Sequence, residues 1–138
     1  MNAHAIQQFS QLWNPLLALA LVVCAVRELQ KSSLLWLVCV AISVAVAQQL
    51  SKIVQHARVI GPDFPSTHFA VALALAGAFW TLNRRFVPFV LAYVLAYAAL
   101  ILWRHYHTPI EVLGAVYALP MGFIAGRLGT RRAKVPSN

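Results

Sequence analysis

The sequence predicts an all-α integral membrane bundle of about five transmembrane helices, built as a single domain over residues 1–138. Three observations lead there. First, 61% of the residues are hydrophobic and only 10% are charged, against about 45–50% and 25% in a soluble domain. The mean hydropathy is +0.72, which excludes disorder as well as an ordinary cytosolic globule. Second, five apolar runs approach the length of about 17–25 residues that a spanning helix needs, and the connections between them are short. Third, the net charge of +8 is carried between those runs and not on a polar face. That placement is a membrane-topology signal, and it argues against nucleic acid as a partner.

The first run covers residues 9–26, with Asn14 and Pro15 near its start. Its first basic residue, Arg27, follows the apolar stretch, the reverse of a signal-peptide flank, so a retained helix is expected. His4, Gln7, Gln8 and Gln11 read as an interfacial lead-in. The second run is residues 33–50. The third, residues 66–82, opens at Pro65-Ser66-Thr67-His68, where proline ends the preceding structure and Ser66 or Thr67 supplies the cap. The fourth is residues 86–103. The fifth, residues 109–126, begins with Thr108-Pro109-Ile110-Glu111, a capping box with proline at the first helical position.

Gly114, Ala118, Gly122 and Gly126 recur every four residues along the fifth run. Such a stripe lets helices approach closely, within the chain first and against a second copy in a homodimer second. Cys24 and Cys39 sit in apolar runs without metal-ligand spacing and read as inert thiols. Trp13, Trp36, Trp80, Trp103 and Tyr106 fit interfacial belts.

Alternation of five helices sorts the cations by side. Arg27, Lys31, Arg84, Arg85, Arg127, Arg131, Arg132 and Lys134 share one side; Lys52, Arg58 and Arg104 occupy the other. The positive-inside rule then puts the C-terminus in the cytoplasm and the N-terminus outside, in a multi-pass protein of the cell membrane. The C-terminal basic cluster serves as a stop and a contact to anionic lipids. The cation-poor side also carries Asp63, Glu111, His56, His68, His105 and His107. Ionisable chemistry gathers where topology leaves the fewest charges.

Three segments make that cluster: residues 52–58, 64–68 and 104–111. A helix start bearing a hydroxyl is an anion site, and Lys52, Arg58 and Arg104 are placed to surround a phosphate there. His68 and His107 approach the same face from different helices. Glu111 lies four residues beyond His107, one turn away if the chain is helical. Taken one at a time, each cation reads as a snorkelling side chain, Glu111 as a cap, and His4, His56 and His105 as incidental.

At these residues the chain resembles the type 2 phosphatidic acid phosphatase superfamily of membrane lipid phosphatases. The family signature is Lys-x6-Arg-Pro, then Pro-Ser-Gly-His, then Ser-Arg-x5-His-x3-Asp. Pro65-Ser66-Thr67-His68 is similar to the second element with Thr67 in the glycine place, and His107 with Glu111 resembles the end of the third. Lys52 fits the start of the first element, with Arg58 one residue early and no proline after it. Ile101 stands where the family has its third-element arginine, and Arg104 lies one turn closer to the histidine. The resemblance covers residues 52–114, on the last four of five spans where the family core has six.

The resemblance implies hydrolysis of a lipid phosphate or diphosphate, a polyprenyl species first and a phosphatidate-like lipid second, with no metal and no cofactor. It makes His107 the nucleophile that forms a phosphohistidine, Glu111 its orienting partner and His68 the proton donor. Lys52, Arg58, Ser66, Thr67 and Arg104 become the phosphate-binding set. Two rival classes stand beside it. A catalytically degenerate lipid-phosphate binder is suggested by Ile101, Glu111 and the short spacing from Lys52 to Arg58. A small membrane scaffold or transporter subunit needs polar residues at mid-membrane, where the runs offer few beyond Ser43.

Overall fold

Helix formation follows the apolar runs. A computed structural model describes residues 3–133, with side-chain surroundings over residues 12–131. The side chains of His4, Gln7, Gln8, Gln11 and Arg132, and residue Lys134, lie outside that set. The helices are α1 (Ala3–Leu29), α2 (Ser33–Ala57), α3 (Thr67–Leu82), α4 (Val87–Trp103), α5 (Pro109–Gly114) and α6 (Ala118–Ala133), and no strand occurs among the described residues. Short 3-10 turns at Gln30–Ser32, Arg84–Phe86 and Ala115–Tyr117 link neighbouring helices.

Three segments are long and apolar enough to cross a membrane: Leu12–Ala57, Arg84–Trp103 and Pro109–Arg131. Thr67–Leu82 is a shorter apolar helix. The first segment has 46 residues; as one straight helix it would run about 69 Å, more than twice a bilayer core. It turns back instead at Gln30, whose φ of 48° is left-handed, and α1 packs against α2.

Contacts at both ends fix the helix directions. Asn14 of α1 bonds the His68 carbonyl at the start of α3, and Glu28 accepts from Asn83 just beyond its end, so α1 and α3 run parallel. The α3–α6 pair is parallel too: Ala74 meets Gly122 and Thr81 meets Gly126. Helix α2 opposes α6, with Trp36 against Gly129 at one end and Ser51 bonded to Tyr117 at the other. The order is therefore up and down, with Arg27, Arg84, Arg85 and Arg127 toward one end and His68 and His107 toward the other.

Helix α3 is central, touching α1, α2, α4 and α6. Its residues explain this position. Ala70, Ala72, Ala74 and Ala78 are wholly buried around the helix, and Leu73, Leu75 and Phe79 nearly so. A helix of small apolar residues on every face has no preferred solvent side and is surrounded. The small-residue stripe is filled from within the chain. A Cβ on Gly122 would collide with the Ala74 carbonyl, one on Gly77 with the Leu119 carbonyl, and one on Gly114 with the Phe64 ring.

The fifth run departs from a single helix over residues 109–126. It is broken by the 3-10 turn at Ala115–Tyr117 and continues to Ala133. Pro120 accounts for the break: it donates no N–H, and its ring crowds the carbonyl four residues back, at Val116. The second run also extends past residue 50, to Ala57. The tryptophans differ in exposure. Trp36 is fully buried beneath Gly129, and Trp13 stacks on Tyr97 at 5.5 Å; Trp80 and Trp103 do face outward.

Overpacking a tight contact costs about 1–3 kcal/mol. Gly122→Leu should therefore lower the thermal midpoint of the detergent-solubilised chain by several degrees, whereas Ala99→Leu on an exposed face should leave it unchanged.

Candidate active site

The site starts from two helix beginnings held against each other. Ser66 is the N-cap of α3; its Oγ accepts from the Phe69 amide at 3.4 Å and its side chain is fully buried. The Ser66 amide donates 3.0 Å to the Glu111 carbonyl in the first turn of α5. That bond sets the start of α3, which carries His68, beside the start of α5, which follows His107.

Thr108 caps α5 through a complete capping box: the Glu111 amide donates to Thr108 Oγ1 at 3.4 Å, and the Thr108 amide donates to Glu111 Oε2 at 3.1 Å. The same Oε2 accepts from His107 Nδ1 at 2.8 Å. Capping and histidine orientation are thus performed by one oxygen. Both side chains are 17% exposed, so the bond is partly screened from water and the Nδ1–H tautomer is held. Nε2 then carries the lone pair.

The segment before His107 is shaped by the end of α4. His105 adopts φ 54°, its amide bonds the Leu102 carbonyl, and the Tyr106 amide bonds the Ile101 carbonyl. This is the Schellman pattern, with histidine in the left-handed place glycine usually takes. His105 thus has a backbone role. His56 likewise bonds the Lys52 carbonyl through Nδ1 at 2.7 Å.

Two clefts flank the start of α3. One, of about 470 Å³, is lined by Asp63, His105, His107 and Glu111 among others. The other, of about 360 Å³, is lined by Asn14, Gln48, Lys52, Gln55, Thr67 and His68, with Val44 and Val71. The Ser66–Glu111 backbone bond ties the starts of α3 and α5 together, so His68 and His107 lie at the same end of the bundle.

The expected residues divide accordingly. His107 and Glu111 share one cleft; His68, Lys52 and Thr67 share the other. Ser66 lies beneath the surface as a cap. Arg58, at φ 50°, ends α2 fully outside, and neither cleft includes it. Arg104 lies over the Tyr106 ring at 5.9 Å, and its buried Nε has no hydrogen-bond partner. Ile101, in the family's arginine place, is a core residue at 4% exposure.

Sequence reasoning missed Asn14, Gln48 and Gln55. Gln55 donates 2.9 Å to the Pro65 carbonyl and steadies the loop before α3. Gln48, Lys52 and Gln55 are spaced i, i+4, i+7, a one-face polar stripe that was legible as such. Among the described residues, no cluster of three or more His, Cys, Asp or Glu is placed to hold a metal ion. No family model matches the chain, and no curated protein or solved structure is found to be similar to it.

Side-chain nitrogen-15 spectra should find His107 in the Nδ1–H tautomer above its titration range. Glu111→Ala should shift it toward the Nε2–H form; an unchanged spectrum would mean the 2.8 Å bond does not set the tautomer.

Proposed function

We propose that the chain is a five-span membrane lipid phosphatase acting through a phosphohistidine. The observation that carries this reading is the 2.8 Å bond from His107 Nδ1 to Glu111. It presents Nε2 as a nucleophile beside a second histidine and a helix start. In the first step, His107 Nε2 attacks phosphorus, the bond to the leaving oxygen breaks, and His68, held in its charged form by the bound phosphate beside it, gives that oxygen its proton. Neutral His68 then takes a proton from water as the water oxygen attacks phosphorus, and the phosphorus–nitrogen bond breaks with its electron pair returning to His107 Nε2. Inorganic phosphate leaves, and both histidines return to their starting states.

Charge on the non-bridging oxygens is met by Lys52, Arg104, Thr67 and the free amides at the start of α3. Arg104 reaches the phosphate by leaving Tyr106, which gives its unpartnered Nε an anion to bond. Arg58, farther out, steers the anion toward the site. None of these steps requires a metal.

All five apolar runs cross the membrane in this reading, α5 and α6 forming the last, with the N-terminus outside. The site then opens at the outer leaflet, where the lipid headgroup lies beside its own hydrocarbon phase. A reporter fused after residue 133 should be active only in the cytoplasmic form; the reverse result would invert the topology.

A second reading, a lipid-phosphate binder without turnover, is favoured by the burial of Ile101 in the arginine place. Activity separates the two. Purified chain in detergent should release phosphate from a prenyl phosphate or diphosphate in the presence of EDTA. His68→Ala should lower kcat by about 10²–10⁴-fold, and His107→Ala should abolish turnover. Full activity in both variants would exclude the histidine mechanism; binding without turnover in the unaltered chain would select the binder.

A further inference from the structure

The two clefts beside the start of α3 differ in charge, and that difference bears on what the leaving group is. The His107 cleft carries two carboxylates, Asp63 and Glu111. The His68 cleft carries Lys52 and several neutral hydrogen-bonding side chains, and none of its lining residues is acidic. A further anionic group on the substrate is repelled from the first and attracted to the second.

Within the second cleft, most amide donors are already engaged. Asn14 Nδ2 donates to the His68 carbonyl at 2.9 Å, and Gln55 Nε2 donates to the Pro65 carbonyl. Gln48 lines the cleft one turn below Lys52 and makes no hydrogen bond within the described chain. Gln48 is half-buried, yet its amide is not sealed off within the described chain, so a bound anion can accept from it. Below it the floor becomes apolar at Val44 and Val71. Along α2 the cleft therefore offers a cation, then an uncharged donor, then apolar side chains.

That sequence matches a lipid diphosphate entering chain first. We propose that the cleft between α1, α2 and α3 is a subsite for the inner phosphate of a lipid diphosphate, with Gln48 as the specificity-determining donor. The inference rests on the phosphatase reading for its chemistry. His107 Nε2 attacks the outer phosphorus, and the bond to the bridging oxygen breaks with its electron pair on that oxygen. His68 protonates it. The leaving group is a lipid monophosphate, held by Lys52 and Gln48, and the outer phosphoryl group remains on His107 until water removes it as inorganic phosphate.

Equilibrium binding tests the subsite without turnover. Farnesyl methylenediphosphonate and farnesyl phosphonate, both resistant to hydrolysis, would be titrated into the full chain in detergent. The diphosphonate should bind about tenfold tighter, the scale of one hydrogen bond to a charged group. Gln48→Leu should remove that preference and leave phosphonate binding unchanged. Gln48→Glu, which preserves size and polarity, should weaken diphosphonate binding further by repulsion. Equal affinity of the unaltered chain for the two probes would overturn the proposal, as would Gln48 variants that alter both probes alike or neither. Retained discrimination in a chain that hydrolyses no lipid phosphate would support the subsite while refuting the phosphatase.

Discussion

Helices α3 and α6 meet backbone to backbone, with Gly122 against the Ala74 carbonyl and Gly77 against Leu119, and the histidine end is built outward from that contact. Alanines and glycines permit the approach because association in lipid gains little from apolar burial and depends on close van der Waals packing. Once the two helices lie parallel, their starting ends coincide. The Ser66 amide then reaches the Glu111 carbonyl, and the loops before α3 and α5 are drawn together. His68 and His107, 39 positions apart in sequence by their numbers, are brought to the same end of the bundle through that register.

Glu111 shows how a structural residue acquires a chemical task. Its Oε2 closes the capping box on Thr108 and orients His107 in the same geometry. A helix cap must point its carboxylate back toward the preceding residues, and His107 is one of them. Capping of α5 and orientation of His107 are one arrangement seen from two sides.

Legibility of the fold in the sequence followed the strength of local signals. The third run was read over residues 66–82 and the helix is Thr67–Leu82; the fourth was read over residues 86–103 and the helix is Val87–Trp103. Pro65-Ser66 and the polar pair Arg84-Arg85 mark those ends plainly. The second helix runs to Ala57 because Gln48, Ser51, Lys52 and Gln55 lower the hydropathy without disturbing helical spacing. Hydropathy reported where lipid stops, not where the helix stops. The site was legible as a set of residues and not as two clefts. Arg58 and His105 occupy left-handed ends without the glycine that would announce them, so the directions of Arg58 and Arg104 were hidden. The polar stripe of Gln48, Lys52 and Gln55 was legible, but nothing in its spacing says that α1 and α3 will enclose it.

The central claim is that His107 Nε2 forms a bond to phosphorus, and trapping that bond tests it most directly. Chain mixed with a lipid diphosphate labelled in its outer phosphate, quenched in alkali within the first turnover, should carry an alkali-stable, acid-labile label. Mapping should place the label on His107, and it should be lost in His107→Ala. An unlabelled chain that releases phosphate, or a label on another residue, would contradict the account.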